Sequence, residues 1–244
     1  MTNSVDLPDP FEQAVRALVQ AARWDLALAL LDAVLDPRRP GLTVQAAAAL
    51  RRRAALDQAF WSATPLPPPR AEAPDGWDAA RDAAQAAYVG MLRRRIEGLT
   101  PDTAAVEALR ADLEHLLAAA PDGEAALAVR FHLGLVHENL CGDAASATPH
   151  WTAAADAADT DVAASALRHL GGQAVDCGDH DRARDLWWRS FRLRARDGDL
   201  PGALAQLLLL APSTTLAEAV QVWAGEAGLA VLRDAALHSL PDPT

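Results

Sequence analysis

The chain has 244 residues, of which 51% are apolar, and it carries a formal net charge of −11 at pH 7. This composition supplies enough apolar side chain for a continuous core. The acidic balance argues against nucleic acid as the default partner, because phosphate binding requires a basic surface. No apolar run approaches the roughly 18 residues of a membrane span, and the first residues lack the regions of a signal peptide. We therefore expect a cytoplasmic protein with no membrane partner.

Helix signals begin near the N-terminus. Asp9-Pro10-Phe11-Glu12 has the form of a helix start, and apolar residues recur at helical spacing after it. A second helix is predicted from about Asp25 to the residue before Pro37, and a third over roughly 43–63. Residues 1–63 are therefore expected to form an N-terminal hairpin followed by a long helix.

A proline-rich segment follows at residues 64–76. Its five prolines exclude a helix and favour extended polyproline geometry. The sequence Pro65-x-x-Pro68-x-Arg70 also has the form of a ligand for proline-binding domains. The simpler interpretation is a stiff linker between two helical regions.

Helical periodicity resumes after this linker and continues to the end of the chain. The predicted helices span about 77–97, 101–119, 124–140, 144–158, 161–177, 180–196, 201–211, 213–227 and 229–240. The segment 201–211 is apolar on every side, which indicates burial. The last helix is expected to cap the end of the helical array.

A repeat organises the second half of the chain. Ala147-x-x-x-Trp151 recurs 36 positions later as Ala183-x-x-x-Trp187, and 36 positions after that as Ala219-x-x-x-Trp223. Leu-Gly pairs precede the first two copies, and both copies contain Cys-Gly-Asp. A period in the thirties predicts stacked helical hairpins, because no single hairpin can bury its own apolar face.

These motifs resemble the tetratricopeptide repeat, whose signature is Trp-x-x-Leu-Gly-x-x-Tyr, then Ala-x-x-x-Phe, then Pro. Leu133-Gly134 and Leu170-Gly171 match the Leu-Gly pair, while Trp151 and Trp187 take the place of the Phe. The opening Trp, the Tyr and the closing Pro are not matched. The resemblance implies an all-α fold, a right-handed α-solenoid of antiparallel helix pairs with about a dozen helices. Residues 77–244 would then form the repeats and their capping helix.

The same resemblance implies a concave groove, lined by the inner helix of each repeat. Carried over to this sequence, the groove residues are Phe131, Leu135, Glu138 and Asn139 in the first clear repeat, and Arg168, Gly172, Val175 and Asp176 in the second. Such a groove is small, of mixed polarity and mildly acidic. It has too few cations for the carboxylate-clamping role that some members of the family perform.

A second candidate surface lies on the ninth predicted helix, α9, at 180–196. The repeat pattern buries Trp187 and points Trp188 elsewhere, with Arg184 and Arg192 four positions to either side of it. We refer to Arg184, Trp188 and Arg192 as the α9 stripe, in which the guanidinium groups can stack on the indole. Exposed Trp and Arg are typical of binding hot spots. The alternative is a Trp188 that is covered by arginine and packed against the next helix.

Two arginine triplets, 51–53 and 93–95, are the basic spots of an acidic chain. They would suit an acidic partner or the acidic half of a second copy, so self-association is possible. Solvated helix faces are the simpler explanation of such triplets.

No catalytic motif is found in the sequence. The nearest set of metal ligands is His132, His137, Cys141, His169, Cys177 and His180, and repetition alone explains why histidine and cysteine recur together. We expect no metal, no cofactor and two free thiols. The predicted function is that of a non-catalytic adaptor or scaffold that binds a protein or peptide. The alternative is a sensor domain whose groove takes a small ligand or a signalling peptide.

Overall fold

The computed structural model describes residues 10–34, 44–62, 76–210 and 213–238. Within these ranges every element is a helix, which confirms the prediction of an all-α protein of about a dozen helices. The helices are α1 Pro10–Gln20, α2 Trp24–Val34, α3 Val44–Trp61, α4 Trp77–Ile96, α5 Thr103–Ala118, α6 Gly123–Leu135, α7 Ala144–Ala154, α8 Thr160–Asp176, α9 His180–Asp197, α10 Leu200–Leu210, α11 Thr214–Glu226 and α12 Ala230–His238. Among them, none combines the length and apolarity needed to cross a bilayer.

Local capping chemistry sets many of the helix ends. Side chains of Asp102, Asp122, Asp143, Asp159 and Ser213 each accept a backbone N–H in the first turn of the following helix, which satisfies donors that have no partner within the helix. At the other end, the two Cys-Gly-Asp turns place their glycines at φ 70° and 80°, a left-handed conformation that favours glycine. The proline-rich linker lies outside the described residues, apart from its last residue.

The chain divides into two compact units. The first contains α1, α2, α3, α11, α12 and residues 200–205 of α10. In it, α3 packs against α1, α2 and α12, and α11 packs against α12. Val15, Ala27 and Leu31 form a buried cluster at α1 and α2. The sequence predicted α11 and α12 as the end of the repeats, whereas the structure groups them with the N-terminal helices.

The second unit contains α4 to α9 and residues 206–210 of α10. Each helix from α4 to α9 packs against the next one in the chain, and α6 also contacts α8, the first helix of the neighbouring pair. Its core includes Trp151, which has no exposed surface, together with Ala147, Ala154 and Leu167. This unit holds both clear copies of the sequence repeat.

The Leu-Gly pairs make room for the repeat tryptophans. A Cβ built on Gly134 would lie 2.8 Å from Cε3 of Trp151, and one built on Gly171 would overlap the indole of Trp187. Such distances are shorter than packed side chains tolerate, so only glycine lets each indole approach the preceding helix. The two motifs that repeat in the sequence therefore meet in space.

The third copy of the spacing does not carry this packing. Ala219 is exposed and Trp223 is only partly buried, whereas the buried face of α11 is formed by Ala217, Val220 and Ala224. No Leu-Gly pair precedes this copy in the sequence. The 36-residue spacing marks two packed repeats, and its third occurrence lies in the other unit.

Helix α6 continues into a π-helical turn, Val136–Leu140. The N–H of Cys141 donates to the carbonyl of Val136, five positions earlier, at 3.1 Å, so this turn is wider than an α-helical one. Arg95 of α4 donates to the carbonyls of Asn139 and Leu140 at 2.6 and 3.1 Å. Turns of this type are frequent at functional sites, and this one carries Glu138 and Asn139.

Candidate functional site

The residues predicted to line the groove separate into three groups. Phe131, Leu135 and Val175 are partly buried and pack against the core of the second unit. Glu138 and Asn139 are partly buried and bonded to other side chains, while Arg168 and Asp176 are exposed. Most of the predicted groove residues are thus engaged in contacts within the chain.

Glu138 lies at the centre of a polar cluster between the π-helical turn and helices α7 and α8. Its Oε2 accepts from Trp151 Nε1 at 2.9 Å and from Gln173 Nε2 at 2.8 Å, and its Oε1 lies 2.7 Å from His169 Nδ1. The His169 ring stacks on Trp151 with 4.2 Å between ring centroids and 4° between planes. Gln173 in turn accepts from the hydroxyl of Thr148 at 2.8 Å. The carboxylate therefore links the two repeats.

The electrostatics of this cluster favour an ionised Glu138. Burial raises its pKa, but the hydrogen bond and charge of His169, with the donors Trp151 and Gln173, outweigh burial and hold the pKa below the usual value. A carboxylate kept ionised and bonded by three partners is suited to fixing helices together. We predicted Glu138 as a groove contact, and the structure directs its carboxylate into the cluster.

Asn139 is bonded inside the second unit as well. Its Nδ2 donates to the hydroxyl of Tyr88 at 2.8 Å, and Tyr88 is only 5% exposed. Burial raises the pKa of Tyr88 well above its usual range, so the phenol stays neutral. Together with Arg95, this bond ties the π-helical turn to α4.

The α9 stripe is exposed along its length. Trp188 has 40% of its surface exposed, and Arg184 and Arg192 are exposed on either side of it. Trp188 meets the edge of Phe191, with 5.5 Å between ring centroids. Nη1 of Arg184 lies 3.7 Å from Oδ1 of Asp181. Among the described residues, the cation–π contact is between Arg81 and Trp77. Of the two alternatives for Trp188, the structure therefore shows the exposed one, without arginine stacking on its indole among the described residues.

Beside the α9 stripe, and sharing Arg192 with it, lies a cleft of about 400 Å³ that the sequence does not predict. Helix α9 contributes Arg189, Arg192, Arg196 and Leu193 to it. The opposite wall is the turn between α7 and α8, residues 155–158 with Thr160, and α8 adds Ala163 and Leu167. We call this feature the arginine cleft. Its sequence signal was the spacing of three arginines at i, i+3 and i+7, which places them on one helix face.

The three arginines of this cleft are exposed, and none has a carboxylate within ion-pair distance in the described part of the chain. Arg194 of the same helix behaves differently. It is 7% exposed and donates to Asp161 at 3.3 Å and to Ser165 at 2.6 Å. The inward arginine therefore has a structural role, whereas the outward three have guanidinium groups available to bind carboxylates or other anions.

The six residues considered as metal ligands lie in separate contacts. His137 stacks on His150, His169 stacks on Trp151, and Cys141 and Cys177 are exposed free thiols. Within the ranges that the structure describes, no three His, Cys, Asp or Glu side chains are grouped closely enough to hold a metal ion.

Comparison of the chain with protein-family models, with curated proteins and with solved structures gave no match. The exposed features of the second unit, the α9 stripe and the arginine cleft, are suited to binding, because they combine an aromatic anchor with cationic donors.

Proposed function

We propose that this chain is a non-catalytic, cytoplasmic helical-repeat protein that binds a protein or peptide partner through the exposed face of α9. The observation that carries the proposal is Trp188, a large aromatic side chain that is 40% exposed between two exposed arginines. Trp and Arg are the residues that most often dominate binding energy at protein interfaces. Burying this indole under a partner would remove a large apolar surface from water.

The repeat supports a role as an adaptor or scaffold. Two helix pairs carry the Leu-Gly and Trp positions in contact, as the resemblance to tetratricopeptide repeats implies, and a right-handed solenoid is the arrangement we propose for them. Repeats of this kind present extended surfaces to other proteins. The half-buried side chains of Glu138 and Gln173 bond to each other, and Gln173 also bonds to the exposed Thr148, which favours a structural role for them over catalysis.

Affinity capture from the native cell tests this proposal. Wild-type protein should recover a stoichiometric partner, and Trp188→Ala should reduce the recovery at least about tenfold without a change in melting temperature. Ile96→Ala is the matched control, because Ile96 is an exposed apolar residue on α4 far along the chain from the α9 stripe. A Trp188→Ala protein that retains its partner, or an Ile96→Ala protein that loses it equally, contradicts the proposal.

A further inference from the structure

The spacing of the cleft arginines defines what they can hold. Arg189 and Arg196 are seven residues apart on α9, so their Cα atoms are separated by roughly 10 Å along the helix. Arg192 lies between them on the same face. The cleft thus presents a row of three positive charges, with one acidic residue, Asp156, in its lining.

These three arginines have no ion-pair partner among the described residues, although the chain is rich in acidic residues. The chain has 33 acidic residues, yet no described one pairs with Arg189, Arg192 or Arg196. Like charges three and four residues apart destabilise a helix slightly. An anionic ligand would relieve this repulsion and gain charge-assisted hydrogen bonds.

The shape of the cleft favours a polypeptide segment with an apolar side chain. Its wall opposite α9 carries Ala155, Ala157 and Ala158, whose small side chains leave space, and its lining includes the apolar Leu167 and Leu193. Residues 155–160 and α9 face each other across about 400 Å³. A ligand that fits this surface combines negative charge for the arginines with an apolar group beside the partly buried Leu193 and the alanines.

We infer that the arginine cleft binds an extended acidic segment of the partner protein, with carboxylates three residues apart and an apolar side chain between them. In polyproline geometry, residues i and i+3 share one side and lie about 9 Å apart, which matches the separation of Arg189 and Arg196. Alternate residues of a β-strand are only about 7 Å apart, which is a poorer match. This inference rests on the proposed function, since it names the chemistry of the partner that α9 binds.

Other anions fit the surroundings less well. A nucleic acid would extend its phosphates beyond the cleft, over a chain with a net charge of −11, where repulsion opposes binding. The carboxylates of a short acidic segment would lie only beside the three guanidinium groups. The experiments below distinguish the binding of a second copy of this chain from the binding of a separate partner.

The experiment measures the binding of labelled peptides to the full chain by fluorescence anisotropy. A short peptide of Glu-Pro-Leu repeats places carboxylates three residues apart, and the matching Gln-Pro-Leu peptide lacks them. We expect the acidic peptide to bind at least about tenfold more tightly than the neutral one. This ratio is what the loss of one strong carboxylate–guanidinium contact in the neutral peptide would cause. Asp156→Asn should tighten its binding, because it removes the acidic group from the lining.

The variant Arg189→Gln/Arg196→Gln should weaken binding of the acidic peptide at least about tenfold. It leaves the three residues of the α9 stripe unchanged. Arg94→Gln/Arg233→Gln removes the same total charge from exposed positions on α4 and α12 and should leave binding within about twofold. Equal binding of both peptides, equal loss in both double variants, or no binding at all overturns the inference. A requirement for phosphoserine in place of glutamate overturns the carboxylate assignment.

The two proposals fail in different ways. If native capture depends on Trp188 but is unchanged by Arg189→Gln/Arg196→Gln, the α9 surface binds a partner of other chemistry and only the inference fails. If capture is unaffected by Trp188→Ala, the proposed function fails. Self-association that is abolished by the double variant would assign the cleft to a second copy and overturn the choice of a separate partner.

Discussion

Two adjacent residues, Trp187 and Trp188, have different environments in the same helix. Trp187, which the repeat pattern predicts to be buried, is only partly buried over Gly171, and its Nε1 donates to the carbonyl of Arg168 at 3.1 Å. Trp188 is exposed. We expect Trp187→Ala to lower the free energy of unfolding by about 3 kcal/mol, near the lower end for buried aromatics. Trp188→Ala should change it by less than about 0.5 kcal/mol. Urea unfolding of both variants measures this, and comparable losses would show that Trp188 is part of the core.

Glu138 gives the polar cluster a defined pH dependence. Because its folded pKa is lower than the unfolded value near 4.5, its contribution to stability is complete above about pH 4.5 and is lost as the pH falls through the folded pKa. We expect Glu138→Gln to cost about 1 to 2 kcal/mol at neutral pH, since a charge-assisted bond becomes a neutral one. The difference between the two proteins should shrink on acidification in urea-unfolding experiments. A difference that grows at low pH would contradict this assignment.

At the residue scale, the sequence predicts the environment of some candidate site residues better than that of others. The sequence points Trp188 away from the repeat core but leaves open whether it is exposed or packed against the next helix, and only the structure shows it exposed. The bonds of Glu138 reach His169 and Gln173, 31 and 35 residues away, and no local pattern contains them. The arginine cleft likewise depends on a turn and a helix that only the packed structure brings together.

Among the elements, α6 with α7 and α8 with α9 depend on glycine at their contacts. Gly134→Ala places a methyl group 2.8 Å from the Trp151 ring, and we expect it to destabilise the protein by about 1 to 3 kcal/mol through overpacking. Gly172 is the matched control, because a Cβ at this position in α8 meets nothing within 4 Å. Gly172→Ala should stabilise the helix by about 0.5 to 1 kcal/mol. Calorimetric melting of both variants tests the prediction, and a shared sign would contradict it.

Helix boundaries were the most predictable feature at the element scale. The predicted start near Asp9-Pro10 corresponds to α1 from Pro10, and the helix predicted at 180–196 is α9, His180–Asp197. These ends are set by caps, prolines and glycines that act within a few residues. The π-helical turn at 136–140 was not predicted, since it differs from an α-helix only in its hydrogen-bond partners.

For the whole molecule, the sequence predicts helical content better than the grouping of helices. α3 and α12 pack together within the first unit, although the rest of the chain separates them. Periodicity describes one element at a time, so it does not show which distant elements share a core.

Cysteine chemistry tests the molecule as a whole. Cys141 and Cys177 are exposed and free, so titration of the native, unreduced protein should detect two thiols. Cys141 should react more slowly than an isolated cysteine at neutral pH, because partial desolvation of its thiol and the nearby Glu107 raise its pKa and the thiolate is the reactive form. Measuring the rate of thiol modification in the Cys177→Ser variant isolates the reaction of Cys141. A count of zero, or stoichiometric zinc in the purified protein, would contradict the prediction.

The π-helical turn also reconciles two spacings within the repeat. The Leu-Gly glycines, 134 and 171, are 37 positions apart, whereas the cysteines of the Cys-Gly-Asp turns, 141 and 177, are 36 apart. The first copy therefore has one additional residue between these motifs, and the wider turn accommodates that insertion without displacing the turn that follows. Length variation is thus absorbed inside a helix, where single-residue changes are normally disruptive. We expect deletion of His137 to lower the melting temperature less than deletion of the exposed Asp176, because only the first copy has a residue to spare.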